Sequence, residues 1–324
     1  MTWRSLIHDP VASLLERGLR RRHRGELRVL MFHGLTDREH TGLENCQHKH
    51  LHVARFEAVA AHLAAHYDVM SMDDLVERLE NGRAFPPFPA VLTFDDGFAS
   101  NYHLAYPVLR RHGLPAIIYL ETEFVDEKIP IWADRVDFAM HRAGRSKAEL
   151  VSLKTRLKTL PQSAVLAAVE QLEEQTGHRL GRVDHEDVPA IHQALNWDQV
   201  REMAAGGLVT FGSHTHTHVI MGRAAPEIIR HELMESRRRI ELETGLPCLH
   251  FCYPNGTPSD FSETCEQILR EGGFRSSVTT VGGLNPLPCS PFLLRRLGMT
   301  NNLRPAQFRQ FLAMGDPTLR GLLC

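Results

Sequence analysis

The chain has 324 residues, 37 basic side chains against 39 acidic ones for a formal net charge of −2, and 43% hydrophobic content. That is the make-up of a globular, enzyme-sized protein, which excludes disordered, collagen-like and coiled-coil classes and any global field drawing it to nucleic acid. No run of about 18 apolar residues spans a bilayer, and the 20 histidines point toward metal or proton-transfer chemistry.

In chain order, residues 1–26 form a basic opening segment, and residues 27–324 are expected to form the catalytic domain. The apolar stretch 11–15 is too short for a signal-peptide core, and Arg17, Arg20, Arg21, Arg22 and Arg24 follow it instead of preceding it. The 6 cysteines are spread without a C-x-x-C pair and read as reduced thiols. The expectation is a cytoplasmic protein with no transmembrane segment. Residues 1–24 either pack on the domain as a solvated helix or make peripheral contact with an anionic membrane surface.

Residues 27–32 read as the first buried strand, ending at His33-Gly34. His48, His50 and His52 then read as a solvated loop. Helical spacing of Phe56, Val59, Ala60 and Leu63 predicts a helix over about 55–66, and Ser71 caps a second one carrying Leu75 and Leu79. After the proline-rich stop at 85–89 come a strand at 90–94, a helix at 101–112 ending at Gly113, and a strand at 115–120. Between about 126 and 189 strand signals vanish and helices are expected at 132–141, 147–160 and 163–177, which reads as a helical insertion. Alternation resumes with helix 197–205, strand 208–212, helix 226–244, strand 249–253, helix 262–271 and strand 276–280. Such alternation predicts an α/β fold with a mainly parallel sheet, and six or seven units favour a barrel with its site at the carboxyl ends of the strands.

Three of those strand ends carry unusual polar residues. Asp-Gly is ordinarily a turn, yet Asp95-Asp96-Gly97 follows a strand with no return strand behind it. Neighbouring strand residues face opposite ways, so both carboxylates enter one pocket only if the chain turns, which Gly97 permits. His214 and His218 are spaced i, i+4, and a tight loop would put both imidazoles on one side. Two histidines and a carboxylate are a ligand set for catalytic zinc. If extended, the segment would instead align His214, His216 and His218. His33 alone reads as a hydrogen-bonding group, and Cys252 as a core residue.

Taken together, Thr93-Phe94-Asp95-Asp96-Gly97, Ser213-His214-Thr215-His216-Thr217-His218 and Phe251-Cys252-Tyr253-Pro254-Asn255-Gly256 resemble the signature motifs of NodB-type polysaccharide deacetylases, the metal-dependent family-4 carbohydrate esterases. The resemblance runs from about residue 28 to 297 and leaves the helical insertion outside. It implies a distorted (β/α) barrel of about seven strands, Asp96, His214 and His218 as metal ligands, Asp95 as general base, and His216 as no ligand. Cys252 departs from the family, whose third motif begins with an arginine that orients the catalytic aspartate. The Tyr253-Pro254-Asn255-Gly256 form and the early Leu30-Met31-Phe32-His33-Gly34 are similar to the branch that includes poly-N-acetylglucosamine deacetylases. In that branch His33 corresponds to a general acid, and Arg295 or Arg296, with Arg296 preferred, to the arginine orienting Asp95. Tyr253, Pro254, Asn255 and Gly256 become oxyanion and substrate-binding positions, Asn255 through its backbone N–H.

The implied activity is removal of an N-acetyl group from an amino sugar in a glycan, a lipid-linked glycan or a sugar nucleotide, with release of acetate. One divalent ion is implied, zinc first, with cobalt, nickel or iron as substitutes. A hydrolase of another linear or cyclic amide and an inactive carbohydrate-binding relative are the alternatives.

Overall fold

The computed structural model describes residues 10–184, 187–301 and 305–315. Seven parallel strands among them close into a barrel: β1 (Glu26–Phe32), β2 (Pro89–Phe94), β3 (Ala116–Leu120), β4 (Val209–Ser213), β5 (His250–Cys252), β6 (Ser276–Gly282) and β7 (Leu294–Gly298). Each pairs with the next in sequence, and β7 returns to β1. Short strands at Asp68–Val69 and Asn285–Pro286 flank β2 and β1.

The core follows from the period of two along buried parallel strands. Val29, Val91, Ile117, Tyr119, Cys252 and Val278 join one cluster with Met72, Leu75 and Val76. Their strand neighbours Leu30, Leu92, Ile118 and Phe251 belong to a second cluster, shared with the surrounding helices. Among the described residues the α-helices longer than five residues are α1 (Pro10–Arg22), α2 (Val53–His66), α3 (Met72–Glu80), α4 (Tyr106–His112), α5 (Trp132–Arg142), α6 (Lys147–Leu157), α7 (Gln162–Thr176), α8 (Trp197–Ala205), α9 (Pro226–Thr244), α10 (Glu263–Glu271) and α11 (Pro305–Met314). Their ends obey local chemistry. Ser71 caps α3 through the Asp74 N–H, Ser146 and Asn196 build capping boxes on α6 and α8, and Gly113 and Gly245 end α4 and α9 in the left-handed region. The segment between β3 and β4 holds α5 to α8. Trp132, Val136, Leu150, Val165 and Val169 from α5 to α7 form a third core with Phe98 and Phe124.

Three expectations need correction. The barrel does not end with strand 276–280, because β7 closes it. Two adjacent arginines hide that strand from an apolar-pattern reading. His50 and His52 are not a solvated loop: His50–His52 pairs in parallel with Gly34–Thr36, His50 is buried, and His52 caps α2. The helix expected at 101–112 opens with a wider π-type turn, Asn101–Ala105, before α4. At the amino end α1 packs against α11, and the Glu16 carboxylate meets His62 at 2.7 Å. Residues 1–9 of the basic opening segment, like Cys324, lie outside the described residues. No helix of the described residues is long and apolar enough to cross a membrane.

Gly212, in β4, sits where a Cβ would lie 2.6 Å from the Tyr119 ring and 2.7 Å from the His250 carbonyl oxygen. Backbone on one side cannot yield cheaply. Gly212→Ala should therefore cost about 1–3 kcal/mol by overpacking, read from the denaturant midpoint; an unchanged midpoint would show that β4 and β5 separate freely.

Candidate active site

Strand register decides which side chains meet. Phe32 pairs with Phe94, so the next residues, His33 and Asp95, leave the barrel at one level, with His33 Nε2 4.0 Å from Asp95 Oδ2. Leu120 pairs with Ser213 and Ser213 with Phe251, which brings His214 to the same end. These groups share a cavity of about 260 Å³ with Asp96, His218 and Asn255.

Asp95 is 2% exposed, and its two oxygens are gripped by the Arg296 guanidinium at 2.7 and 2.8 Å. Burial pushes its carboxyl up, but the charge and hydrogen bonds of Arg296 outweigh burial and hold it below the usual carboxylate range. Arg296 also donates to the Thr279 carbonyl, to Thr93 Oγ1 and to Cys252 Sγ. Its guanidinium thus lies beside Cys252, the position where the resembling motif would carry an arginine of its own. Arg295 does not take part: it is exposed and its stem packs near Gly283.

Asp96 adopts a left-handed backbone (φ 76°), as does Gly97 (φ 94°), so the chain turns within the carboxylate pair itself. A Cβ on Gly97 would lie 2.8 Å from Leu120. The Asp96 carboxylate is divided: Oδ2 accepts from Lys49 Nζ at 2.9 Å, and Oδ1 faces His214 Nε2 at 3.4 Å and His218 Nε2 at 3.5 Å. Burial opposes the charged form, yet Lys49 and the two imidazoles hold Asp96 well below its ordinary range.

The histidine segment is neither helix nor strand. Thr215 (φ 65°) and His218 (φ 56°) both take the left-handed region, which is costly for a β-branched residue. The extended alternative fails here, because His216 turns to Thr122, Nδ1 to Oγ1 at 2.9 Å. Glu232 on α9 holds the loop in this shape: its carboxylate accepts from the backbone N–H groups of His216 and Thr217 and from the Thr217 hydroxyl, each at 2.8 Å.

Do these residues fit a metal ion? Asp96, His214 and His218 offer three donor atoms within 4.8 Å of one another. Separations of 3.4 and 3.5 Å are close to the roughly 3.3 Å between two ligands that each lie about 2.0–2.1 Å from one tetrahedral ion. His214 Nδ1 donates to the Cys252 carbonyl at 2.8 Å, which leaves the Nε2 lone pair facing the cluster, as the outer contact of a ligating imidazole does. The set fits. A second grouping, Asp95 with His214 and Cys252, does not: Arg296 takes both Asp95 oxygens, and burial pushes the Cys252 thiol up, against the thiolate a metal needs.

Tyr253, Pro254, Asn255 and Gly256 follow β5. Tyr253 is fully buried against Phe251 and Phe261. Asn255 (φ 60°) and Gly256 (φ 62°) turn the chain back over β6, where Thr280 bonds both of their carbonyls. The Asn255 side-chain amide donates one N–H to Asp260.

A family model described as polysaccharide deacetylase matches residues 82–277. The chain belongs to the polysaccharide deacetylase family. That match includes Asp95, Asp96, His214 and His218, while His33, directly after β1, and Arg296, on β7, lie outside it. Among solved structures, the Streptococcus pyogenes deacetylase PplD in complex with acetate superposes with a TM-score of 0.60 at 17% identity, covering 90% of this chain and 99% of that one. IcaB from Ammonifex degensii gives 0.61 at 18% identity, over 90% and 97%. A de-N-acetylase from Aggregatibacter actinomycetemcomitans gives 0.60 at 16%, over 88% and 99%. These likenesses show a common barrel fold. No curated protein matches the chain.

Two site residues escape a sequence reading. Lys49 lies in the histidine-rich stretch with no local signal. Glu232 did carry one, as a carboxylate on the buried face of α9 beside Ile229, Leu233 and Ser236. The Asp95–Arg296 pair invites a direct test. Arg296→Met should destabilise the fold by about 3–5 kcal/mol, since it strands a buried carboxylate, and Asp95→Asn in that background should restore part of the loss. Denaturant unfolding of the three variants measures both, and a single-variant loss under about 1 kcal/mol would mean that Asp95 does not depend on Arg296.

Proposed function

We propose that this deacetylase hydrolyses the N-acetyl group of an amino sugar, using Asp96, His214 and His218 to hold one divalent cation. One observation carries the proposal: a donor set with the spacing of a tetrahedral site lies next to a carboxylate, Asp95, that Arg296 keeps ionised. Two imidazoles and one carboxylate suit zinc, with cobalt, nickel or iron as substitutes. When bound, such a cation supplies Lewis acidity toward a carbonyl oxygen and toward water.

The chain's own residues do the rest. Asp95 takes a proton from the attacking water, and Arg296 aims the carboxylate by gripping both its oxygens. Water oxygen bonds to the acetyl carbon, and the backbone N–H of Asn255, set by the turn Tyr253-Pro254-Asn255-Gly256, donates to the developing oxyanion. His33 then protonates the departing nitrogen as the C–N bond breaks, leaving acetate and a free amine. Burial lowers the His33 pKa against the opposing pull of Asp96 and Asp95. A cytoplasmic, precursor-level substrate belongs to the same proposal. So does peripheral membrane contact through residues 1–24, where Leu14 and Leu15 are exposed beside Arg17, Arg21 and Arg22.

Acetate release from a panel of N-acetylated sugars, sugar nucleotides and lipid-linked glycans tests this. Activity should vanish on chelation, return with zinc or cobalt, and be absent from His214→Ala. Asp95→Asn should lose about 10²–10⁴-fold in kcat while still binding metal stoichiometrically. Metal bound but no acetate from any substrate would favour another amide; no metal and no acetate would favour an inactive relative. Glu232→Gln should weaken zinc binding about 10–100-fold by freeing the loop that carries both histidines, and unchanged affinity in a chelator competition would deny Glu232 that part.

A further inference from the structure

The wall of the catalytic cavity contributed by the segment between β3 and β4 is cationic. Lys154 and Lys158 line it together with Trp132, and Lys49 lines it from the opposite direction in sequence. Two of these lysines are already neutralised. Lys49 binds Asp96 at 2.9 Å and Asp134 at 3.1 Å. Lys154 binds Asp137 at 2.7 and 2.8 Å and Gln47 at 2.9 Å.

Lys158 differs. It is half-buried, and among the described residues its ammonium has no hydrogen-bond or salt-bridge partner. A lysine just past the end of a helix is often explained by attraction to the terminal carbonyls, and Lys158 does follow the last residue of α6. Yet it bonds none of those carbonyls, and it borders the cavity instead. Burial and the neighbouring Lys154 depress its pKa against the weaker opposing pull of Asp260 and Asp137.

A second unspent donor belongs to a residue lining the same cavity. The Trp132 indole N–H is buried without a partner, in a residue only 4% exposed. Lysine ammonium and indole N–H are donors only, so together they call for a group made of acceptors. The surrounding charge agrees. Asp95, Asp96, Asp134 and Asp137 are met by three cations, Arg296, Lys49 and Lys154; Lys158 on the same cavity brings these groups to neutrality, so a divalent cation on Asp96, His214 and His218 leaves them two positive charges in excess. An acetamido sugar by itself is neutral and brings nothing to meet them, whereas a phosphate brings about −1.5 to −2 charges and several acceptor oxygens.

We propose that Lys158, assisted by the Trp132 indole N–H, binds a phosphoryl group carried by the amino-sugar substrate. This deepens the deacetylase proposal and rests on it. Lys158 is then the residue that selects a sugar phosphate or sugar diphosphate over a neutral glycan, and α5 and α6 are the elements that present the selecting groups.

The test uses the full-length, zinc-loaded chain carrying Asp95→Asn, so that ligands are bound and not consumed, with titration calorimetry as the readout. N-acetylglucosamine 1-phosphate should bind at least tenfold more tightly than N-acetylglucosamine. Adding Lys158→Gln should erase most of that preference. Lys147→Gln, which removes an exposed charge from the same helix, should retain it. UDP-N-acetylglucosamine and an undecaprenyl-diphosphate-linked N-acetylglucosamine in detergent micelles show whether the phosphoryl group comes from a nucleotide or a lipid carrier. Equal affinity for the neutral and phosphorylated sugars overturns the proposal. So does a preference that survives Lys158→Gln, or one that falls equally with Lys147→Gln, since these point to the metal or to the long-range field. A Lys158-dependent preference for N-acetylmuramic acid over the 1-phosphate overturns the phosphoryl assignment. Because binding is read without turnover, a Lys158-dependent preference with no acetate released by the chain retaining Asp95 would sink the deacetylase reading and leave the anion site standing.

Discussion

The buried fork between Arg296 and Asp95 joins residues that are 201 positions apart in the chain. Arg296 is on the strand that closes the barrel, Asp95 directly follows β2, and the same guanidinium reaches Thr93 on β2, Cys252 on β5 and Thr279 on β6. A guanidinium with no exposed atoms to spare must have all its charge answered by protein. Here the answer comes from the buried Asp95 carboxylate, both of whose oxygens that arginine grips. Barrel closure, the orientation of Asp95 and its ionised state are therefore one event.

The same economy governs the other half of the site. Asp96 is fixed by Lys49 on one oxygen, which leaves the other for the imidazoles. The two histidines converge because Thr215 and His218 accept left-handed backbone, a local cost offset by three hydrogen bonds to the buried Glu232. The donor set is thus preorganised by groups that are not part of it, which is how a site reaches the precision that chemistry needs. Lys49 and Glu232 arrive from opposite sides of the barrel, one between β1 and α2 and the other on α9.

In the proposed reaction the barrel supplies the acid–base and metal-binding end, and the helices between β3 and β4 supply the wall assigned to the rest of the substrate. Those helices have a core of their own, built on Trp132, Val136, Leu150, Val165 and Val169. Lys154, Lys158 and one side of Trp132 line the cavity from the same segment. The two proposals together assign reaction type and substrate choice to separable elements, as is usual where loops and inserted segments decorate a barrel end.

Much of this was written locally. The apolar runs at β1 to β6, the cap at Ser71 and the terminal glycine 113 are short-range signals, and they sufficed for a parallel α/β barrel with its polar residues at one end. Asp95-Asp96-Gly97 and the paired His214 and His218 were equally legible as motifs. Their meeting was not, because a motif names residues without stating the backbone angles that aim them. β7 was invisible as a strand because the arginine that makes it functional interrupts its apolar pattern. His50 looked like a loop residue because the parallel partner that buries it, Gly34–Thr36, has no signature of its own. Lys49, Trp132 and Lys158 could be placed only by the fold, which brings three distant segments to one cavity. Local sequence encodes period and termini; which charge meets which, across some 200 residues, is decided only when burial forces every buried charge to find its partner.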